Sequence, residues 1–587
     1  MCGIIGFLGP SAVSSTVNGL ESLEYRGYDS AGVSFVEGPN FRVVKTTKTV
    51  AKLRKKVRKV SDIDNMLDVK CAIGHTRWAT HGGVSEANAH PHLSTCGKVS
   101  VVHNGIIENY KDIIEFLKTK GRVMKTPVDT EVIPNLIAHY LDGSLLMATQ
   151  KAATHLKGSY AFLATSTSVS DTIIATRRGK QALTIGEHES FYFISSDIAT
   201  AKNKTDILYS LEDDEFAVIK RKNLIFFDAD SNELAKEKLD INIENTIVDK
   251  GEFSTFMEKE IHEIPSVIRR ITDEYKKITR TKKFKDVLDV VKSCETLHIS
   301  ACGTAHHAGL LIAQLLETHC KIRTKVYIAS ELPFCNPHIG EKDIGMVISQ
   351  SGETADTLGA LHLMKKWGLP TIGICNVDGS SIAREVDHFL PCFAGTEVSV
   401  ASTKAYIAQV LVGSILTQSY KWQDYIKLAD NAEGILKIAP EVRAVAKQHK
   451  KAKKIFVLGK GLDFVGALES ALKIKEVTYR HCEGFAAGEL KHGTLALVDG
   501  DTLTIAINSS ADTEENKAKI LKLENAISEI RARGSKVWSP NIIEYLDSPL
   551  SFVLDVIPAQ FYALYLAKVL KLNPDKPRNL AKSVTVE

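Results

Sequence analysis

Several features that mark secreted, membrane-bound or metal-binding proteins are missing from this sequence. Its ten cysteines include no C-x-x-C pair and no dense short spacing, which argues against a disulfide framework and against a zinc site. No basic segment followed by an apolar segment opens the chain. The longest apolar stretch, Ala405 to Leu416, contains Gln409 and Ser414 and is too short to span a bilayer. These absences predict a cytoplasmic protein with reduced thiols and no membrane partner.

A strong charge of either sign is also missing. The net charge of +4 is spread over 587 residues, so composition gives no reason to expect nucleic acid as a partner. No G-x-x-x-x-G-K-S/T run is present, and Gly459-Lys460-Gly461 lacks the third glycine of a dinucleotide fingerprint. We therefore expect no cofactor and no metal. The length predicts about three or four domains.

The N-terminus carries the first sign of chemistry. If Met1 is removed, Cys2 has both a thiol and an α-amine with a pKa of ~7.7–8, which places a nucleophile and its base in one residue. Cys2 precedes a predicted buried strand, Gly3 to Leu8, which would hold it rigidly. A cysteine at this position is more often an inert thiol, so the prediction depends on the segments that follow.

Polar residues gather in the loops between the predicted strands of the first segment. Each loop alone has a structural explanation: Asn104-Gly105 fits a turn, and Asp129 fits a helix N-cap. Together they provide an arginine for a carboxylate, an aspartate for an ammonium, and an amide with a glycine N–H for an oxyanion. The loops are residues 25–30, 75–82, 103–105 and 129–131, between strands predicted at 31–36, 41–46, 71–76, 99–103, 160–165, 172–176 and 191–195 and helices near 109–119 and 130–141.

The order of these motifs resembles the class II glutamine amidotransferases. The resemblance implies a four-layer αββα fold of the N-terminal-nucleophile hydrolases over residues 1–240, with Cys2 as the nucleophile and its own amine as the base. It also implies that Asn104 and Gly105 form the oxyanion hole. The implied glutamine-binding residues are Arg77, Trp78, Thr80, His81, Gly82 and Asp129, in which Arg77 holds the carboxylate, Asp129 holds the ammonium and Trp78 gates ammonia.

A linker is predicted at residues 241–255, and an internal repeat follows it. Residues 297–304 and 455–461 each read as a strand, a glycine turn and a helix, and residues 346–354 have a counterpart at 505–512. Two doubly wound parallel α/β domains are therefore predicted, at 256–430 and 431–574, with a tail at 575–587. The hydroxyls of Ser349, Ser351 and Thr354 at a helix start suit a phosphate, and a plain capping cluster explains them equally well.

Both repeats resemble sugar isomerase (SIS) domains. With residues 400–405, 489–493 and 577–587, the whole chain resembles the glutamine-dependent fructose-6-phosphate aminotransferases, which implies conversion of L-glutamine and D-fructose 6-phosphate to glutamate and D-glucosamine 6-phosphate. His492 would open the sugar ring, Lys582 would engage the C2 carbonyl, and Glu476 would move the proton between C1 and C2. The implied sugar-phosphate-binding residues are Cys302, Gly303, Thr304, Ser349, Gln350, Ser351, Thr354, Val400, Ser402, Lys473 and Ala581. A homodimer or larger homo-oligomer is implied, because the family's His492 reaches a neighbouring subunit's site.

Several alternatives stay open. His492 and Lys582 could be solvated surface charges, and Glu469, Lys473 and Glu476 could form an ordinary surface ion-pair ladder on one helix face. A glutaminase with a different acceptor and a non-catalytic sugar-phosphate-binding regulator are the rival functions. The chain has Ala305 where the family has serine and Thr494 where it has proline, which predicts a weaker KM for the sugar phosphate and a looser loop around His492.

Overall fold

The computed structural model describes residues 2–24, 27–60, 69–78, 83–179, 181–239, 250–509 and 514–584. The chain divides into two compact units: unit 1 comprises residues 1–245 with 583–587, and unit 2 comprises residues 246–582. The division between them falls inside the predicted linker.

Unit 1 contains two antiparallel sheets of seven strands each within its described residues. One has the order β11-β9-β10-β1-β4-β2-β3, and the other β14-β13-β12-β8-β7-β6-β5. The strands are β1 Gly3–Leu8, β2 Ser30–Glu37, β3 Asn40–Thr46, β4 Cys71–Arg77, β5 His92–Leu93, β6 Val99–Gly105, β7 Tyr160–Ser166, β8 Val169–Arg178, β9 Thr184–His188, β10 Phe191–Ser195, β11 Ile207–Ser210, β12 Phe216–Lys220, β13 Asn223–Phe227 and β14 Glu233–Leu234.

Helices cover the outer face of each sheet. They are α1 Ala12–Leu23, α2 Val50–Val60, α3 Tyr110–Thr119, α4 Val132–Tyr140, α5 Leu145–Ala153 and α6 Ile198–Lys202, with a short 3-10 helix at Asp129–Glu131. One apolar cluster joins the two sheets, a second joins α1 and α2 to the first sheet, and a third joins α3, α4 and α5 to the second sheet. This is the four-layer αββα arrangement that the sequence predicted.

Strand β1 is apolar along its whole length because both of its faces are covered. Ile4 and Leu8 point into the layer between the sheets, while Ile5 and Phe7 pack under the helices. A Cβ on Gly6 would lie 2.7 Å from the Leu163 side chain, so glycine permits the close approach of the two sheets. β1 pairs with β4 on one side and β10 on the other, which fixes the segment that follows Cys2 in the middle of a sheet.

Unit 2 contains two parallel sheets, with the orders β16-β15-β17-β18-β19 and β21-β20-β22-β23. β15 and β20 occupy corresponding positions, as do β17 and β22, which confirms the predicted repeat of parallel α/β folds. The strands are β15 Thr296–Ala301, β16 Arg323–Ile328, β17 Ile344–Ser349, β18 Thr371–Cys375, β19 His388–Pro391, β20 Lys454–Gly459, β21 His481–Ala486, β22 Thr502–Ala506 and β23 Lys536–Trp538. Residues 510–512 of the predicted second landmark lie outside the described residues.

The helices of unit 2 pack on these sheets and on each other. They are α7 Phe256–His262, α8 Ile264–Ile278, α9 Lys282–Ser293, α10 Gly303–Cys320, α11 Leu332–Cys335, α12 Ala355–Lys366, α13 Ser381–Glu385, α14 Lys404–Leu416, α15 Trp422–Leu436, α16 Ala439–Gln448, α17 Leu462–Thr478, α18 Glu514–Arg531 and α19 Ile557–Val569, with 3-10 helices at Glu489–His492, Thr494–Leu497, Ile543–Tyr545 and Ser551–Leu554. A single apolar cluster includes residues from both repeats, so they share one core.

One apolar segment is longer than sequence reading indicated. Among the described residues, Ser551–Val569 has the length and composition of a membrane-crossing helix, with a mean hydropathy of 1.4. The sequence prediction overlooked it because Asp555, Gln560 and Lys568 interrupt the apolar run. Since 89% of this segment is buried within the protein, its burial matches that of a core helix.

Candidate active sites

Cys2 is the first described residue and lies half-buried at the entrance of β1. The backbone N–H of Trp78 donates to the Cys2 Sγ at 3.4 Å, and the thiol lies 3.6 Å from the Trp78 carbonyl oxygen. Trp78 directly follows β4, whose Thr76 is paired with Gly3. The register of two adjacent strands therefore fixes the position of the sulfur.

Asn104 lies near the end of β6 with its side chain beside Cys2. Its Nδ2 donates to the Cys2 carbonyl oxygen at 3.3 Å, and its Oδ1 is 3.0 Å from the Nε2 of His75. A carbonyl oxygen can only accept, so the amide nitrogen must face Cys2 and the amide oxygen must face His75. His75 therefore carries its proton on Nε2, and this hydrogen bond orients the Asn104 N–H groups toward the thiol residue.

Gly105 follows Asn104, and the backbone at this position has no room for a side chain. Its φ is +115°, and a Cβ built there would lie 2.1 Å from the Ser159 carbonyl oxygen. The interpretation of Asn104-Gly105 as a simple turn is therefore wrong, because both residues lie within a paired strand.

Arg77 interacts electrostatically with both Cys2 and Asp129. Arg77 is buried at the end of β4, and burial lowers the pKa of its guanidinium while the negative charges available at Cys2 and Asp129 oppose that shift. Asp129 accepts from the Ile107 N–H at 2.8 Å and from the Thr130 N–H at 2.9 Å. The predicted residues Thr80, His81 and Gly82 lie outside the described residues.

Three buried histidines, His90, His92 and His103, surround His75, and the sequence analysis singled out neither His90 nor His92. His75 stacks on His90, with ring centroids 4.1 Å apart, and His90 contacts His92 and His103. Burial lowers the pKa of His75 to about 3 and that of His103 to about 4, and it lowers the pKa values of His90 and His92 well below the usual range. All four rings are therefore neutral at pH 7. The spacing H-P-H at residues 90–92 was a signal available in the sequence.

In unit 2, the loop between β17 and α12 is held in its conformation by hydrogen bonds to the hydroxyl groups of its own serine and threonine residues. The Ser349 Oγ accepts from the Gly352 N–H at 3.0 Å and lies 3.1 Å from the Thr354 Oγ1, while the Ser351 Oγ accepts from the Glu353 N–H at 3.2 Å. Thr354 occupies the N-cap position of α12 but makes no side-chain capping bond, so the capping explanation is wrong for this residue.

The adjacent strand supplies a second loop at the same edge of the sheet. Cys302 and Gly303 join β15 to the start of α10, and Gly303 has a φ of +54° with open space where a Cβ would lie. Because β15 and β17 are neighbours in a parallel sheet, both loops lie at their carboxyl ends. Gln350 is half-buried in the first of them. The edge presents two helix N-termini, which favour an anion.

A network of buried charges joins the two repeats. The Lys473 ammonium lies 2.7 Å from Glu476 and 3.4 Å from Glu469, and donates to the Thr304 hydroxyl at 2.9 Å. Thr304 donates in turn to Glu469 at 3.0 Å, which also contacts the His307 Nδ1 at 2.7 Å. Lys473 and Glu469 have side-chain exposures of 1% and 0%, so the surface ion-pair ladder is wrong.

The ionisation of this network follows from its burial. Burial alone would lower the pKa of the Lys473 ammonium, but the carboxylates of Glu469 and Glu476 together raise it. Burial also raises the pKa of Glu476, against the opposing charges of Lys473 and Lys582. Glu476 is therefore easier to protonate than an ordinary glutamate and lies within the electrostatic influence of Lys582.

Lys582 is not a solvated terminal charge. Its side chain is 4% exposed and pairs with Glu397. The tail that carries it is fixed by Asp575, whose carboxylate accepts from the N–H groups of Phe256 and Met257 at 3.0 and 2.9 Å. The Asp575 carbonyl oxygen also accepts from the Val400 N–H at 3.1 Å. The tail is thus tied both to α7 and to the loop before α14.

The remaining predicted residues divide into two groups. Ala581 and Ser402 are half-buried and Val400 is buried, and Ser402 contacts Glu397, which also binds Lys582. His492 lies apart, exposed on a 3-10 helix, and within the described residues its imidazole makes no hydrogen bond or ion pair.

All ten cysteines are free thiols, and among the described residues no cluster of His, Cys, Asp and Glu is arranged to hold a metal ion.

Comparison with known proteins gives matches over both units. A model described as a glutamine amidotransferase domain matches residues 75–202, and a model described as a SIS domain matches residues 291–419 and 450–530. Relatives from Clostridium tetani and Staphylococcus aureus, each named glutamine–fructose-6-phosphate aminotransferase (isomerizing), are 38% and 37% identical over 100% of this chain and 100% of their own. The solved C-terminal domain of glucosamine-fructose-6-phosphate aminotransferase from Francisella tularensis covers 56% of this chain and 100% of its own, with 29% identity and a TM-score of 0.49.

Proposed function

The chain belongs to the family of isomerizing glutamine–fructose-6-phosphate aminotransferases, and on that premise we propose that it converts L-glutamine and D-fructose 6-phosphate to glutamate and D-glucosamine 6-phosphate. The observation that carries the proposal is the burial of Lys582 beside Glu397 and next to the 400–402 segment. A regulator that only binds sugar phosphate has no need of a buried amine. An amidotransferase for another acceptor has no need of paired SIS domains.

In unit 1, Cys2 would attack the side-chain amide of glutamine. The Asn104 amide N–H, oriented by His75, supports a role as an oxyanion donor, together with Gly105. Arg77 and Asp129 supply opposite charges for the carboxylate and ammonium of the substrate, and Asp129 also braces the backbone at Ile107. Trp78 would lie beside the released ammonia because its backbone contacts the sulfur.

In unit 2, the loops after β15 and β17 would bind the phosphate through hydroxyls and helix N–H groups. Lys582 would form an imine with the open-chain sugar, and Glu476 would move a proton between C1 and C2, a role that its raised pKa supports. His492 would assist ring opening in the site of a second subunit, which accords with its exposure here. We therefore propose a homo-oligomer, at least a dimer, in the cytoplasm.

The domain boundaries of the proposal are those predicted from the sequence. Residues 1–240 would act as the glutaminase, 256–430 and 431–574 as the SIS domains, and 575–587 as the catalytic tail. The anchoring of Asp575 to α7 supports the start of that tail.

Simultaneous measurement of two products tests the proposal. Purified protein with glutamine and fructose 6-phosphate should release glutamate and hexosamine phosphate in equal amounts. Glutamate release without hexosamine phosphate would indicate a different acceptor. Release of neither product, with fructose 6-phosphate still bound, would indicate a regulator.

The active form should begin at Cys2, because the α-amine is a base only when Met1 has been removed. Intact-mass measurement on protein of known specific activity checks this. A full-activity preparation that retains Met1 would contradict the role of the amine.

A further inference from the structure

Glu397 is the most completely hydrogen-bonded buried carboxylate near the tail. It has 0% side-chain exposure and accepts from the Thr403 N–H at 2.9 Å and the Ala405 N–H at 3.1 Å through one oxygen. Its other oxygen accepts from the Ser402 hydroxyl at 2.8 Å and from the Lys582 ammonium. None of the motifs that identify the site includes Glu397.

This arrangement gives Glu397 contacts with two parts of the sugar site at once. Its Oε2 is shared by Lys582, the proposed imine-forming amine, and by Ser402, a proposed sugar-binding residue. The ammonium and hydrogen bonds overcome the effect of burial and hold the pKa of Glu397 at about 2. The resting pair is thus an ammonium and a carboxylate, although an attacking amine must be neutral.

We propose that Glu397 is the internal proton acceptor of Lys582, which frees the amine for attack on the sugar carbonyl and returns the proton to the leaving oxygen. This inference rests on the function proposed above and assigns a catalytic residue that the sequence motifs do not contain. No base from solvent is then required, because the two atoms already share a hydrogen bond. The Lys582 ammonium is the main cause that lowers the pKa of Glu397, so this lowering is lost as the proton leaves Lys582.

The steps balance without any other reactant. The ammonium gives a proton to the Glu397 carboxylate, and the neutral amine forms the N–C2 bond as the C2=O double bond becomes an oxyanion. Glu397 gives the proton to that oxygen, and the attached nitrogen then gives up a second proton through Glu397 as the hydroxyl leaves as water. The product is an iminium with the charge that the ammonium had, so Glu397 remains its counterion.

Glu260 provides a matched control for Glu397, because it is also a buried carboxyl group and it binds the backbone of the residues that follow Glu397. It accepts from the N–H groups of Val398 and Ser399, next to Glu397 in the chain, and it is 2% exposed. Burial first, and then the Glu397 carboxylate, raise its pKa to about 8, so it is a neutral acid at pH 7. Replacement of Glu260 by glutamine removes no charge and leaves the amide oxygen for the same two donors.

Imine trapping in the full-length protein tests the proposal. Protein mixed with fructose 6-phosphate is quenched with sodium borohydride at successive times, and the reduced adduct on Lys582 is measured by peptide mass. We expect Glu397→Gln to slow adduct formation by about 10²-fold or more, within the range of proton-transfer catalysts, while Glu260→Gln stays within about threefold of the wild type. Glutamine hydrolysis at Cys2 should be unchanged in both variants.

Adduct formation by Glu397→Gln at the wild-type rate would overturn the proposal, and so would an equal loss in Glu260→Gln, which would indicate a structural role for both carboxyls. If the wild type itself forms neither an adduct nor hexosamine phosphate, the proposed function fails rather than the role of Glu397.

The pH dependence of adduct formation gives a second test, and it uses only the wild-type protein. A proton transferred within the pair leaves the protonation state of the site unchanged, so the rate of adduct formation should vary less than twofold between pH 6.5 and 7.5. A lysine that loses its proton to water gives a tenfold rise over the same unit of pH. A tenfold rise would overturn the proposal.

Discussion

The two units differ in how they treat ionisable groups that are buried. Unit 1 keeps His75, His90 and their neighbours without charge, since burial has lowered their pKa values below the working range. Unit 2 keeps its buried charges and pairs them, Lys473 with two glutamates and Lys582 with Glu397. Removal of water has opposite consequences for the two sets of groups, because Lys473 and Lys582 contact carboxylates directly, whereas the hydrogen bonds of His75 and His103 go to the neutral side chains of Asn104 and Thr130.

This difference matches the proposed chemistry of each unit. An acyl transfer at Cys2 needs hydrogen-bond donors that stay fixed while charge develops on the substrate, and neutral rings suit that need. The conversion of the sugar needs groups that gain and lose protons during turnover, and a buried glutamate whose pKa is raised, as that of Glu476 is, suits that need. Each prediction below disturbs one side of this contrast.

The largest effect should come from Cys2→Ala. Without the thiol, synthesis from glutamine should fall below detection, since no other nucleophile is proposed for that step. Unit 2 should be untouched, so the Lys582 adduct with fructose 6-phosphate should form at the wild-type rate. A paired assay of hexosamine phosphate and of the trapped adduct checks this, and undiminished synthesis from glutamine would contradict it.

Lys473→Met should strongly destabilise unit 2. The change leaves Glu469 and Glu476 buried without their cation, and breaking a buried pair in this way costs about 3–5 kcal/mol. Lys277→Met is the matched control, because Lys277 pairs with Glu274 on the surface, where solvent screens ion pairs and they contribute little to stability. Chemical denaturation followed by unit-specific proteolysis gives the free energy of unfolding of unit 2 in both variants. Equal decreases would show that burial of the Lys473 ion pairs does not affect stability.

A change of pH should act on the two units in opposite directions. The folded pKa of His75 is about 3, below its unfolded value of 6.5, so its stabilising effect is complete above pH 6.5 and is lost as the pH falls toward 3. Between pH 7.5 and 5.5 each such histidine costs unit 1 about 1 kcal/mol.

Glu397 and Glu260 give unit 2 a different response. Glu397, with a folded pKa of about 2 against 4.5, keeps its stabilising effect down to pH 4.5. Glu260, with a folded pKa of about 8, stabilises unit 2 fully below pH 4.5 and loses that effect as the pH rises to 8. Thermal unfolding followed by unit-specific proteolysis should therefore show that unit 1 loses stability between pH 7.5 and 5.5 while unit 2 gains it. A loss of stability in unit 2 over this range would refute the assignment.

His75→Phe should impair glutamine hydrolysis without disturbing the sugar reaction. The ring shape and its stacking on His90 are retained, but the Asn104 oxygen loses the donor that orients it. Loss of an oxyanion donor costs about 10²–10³ in kcat, so loss of its orientation should cost about 10–10². The effect should fall on kcat rather than KM, and a change confined to KM for glutamine would argue against this role.

The smallest effect is expected for Ala305→Ser. The half-buried Ala305 lies in the first turn of α10, beside the proposed phosphate loop. A new hydroxyl there could add one hydrogen bond to a charged group, worth ~1.5–3 kcal/mol at most, and less if it displaces water. KM for fructose 6-phosphate should fall by a few-fold with kcat unchanged. Steady-state kinetics decide this, and an unchanged or raised KM would show that no contact forms.

The sequence predicted the parts of the fold whose signal is local. Residues 3–8 and 191–195 were predicted as strands with the bounds that the structure has, because they are short apolar runs covered on both faces. The helix Val50–Val60 was missed, since its apolar residues are outnumbered by lysine and arginine. The four short strands β11 to β14 were also missed, because brief segments carry little periodicity.

The partners of the proposed catalytic residues could not be found in this way. His75 is separated from Asn104 by 29 positions, and Glu397 from Lys582 by 185. No periodicity links such residues, and only the pairing of strands and the anchoring of the tail bring them together. Sequence motifs therefore gave the proposed catalytic side chains, and the structure added the groups that orient them or share their protons.

The central position of β1 has a consequence for the time at which the protein becomes active. During synthesis β1 emerges first, but its partner β10 follows about 190 residues later, which takes ~10–40 s at 5–20 residues per second. Throughout that interval the sheet around β1 is incomplete and the N-terminus is open to a processing peptidase. Removal of Met1 therefore has its opportunity before the sheet closes, and a chain that folds with Met1 still attached would lack the free amine that we propose as the base at Cys2.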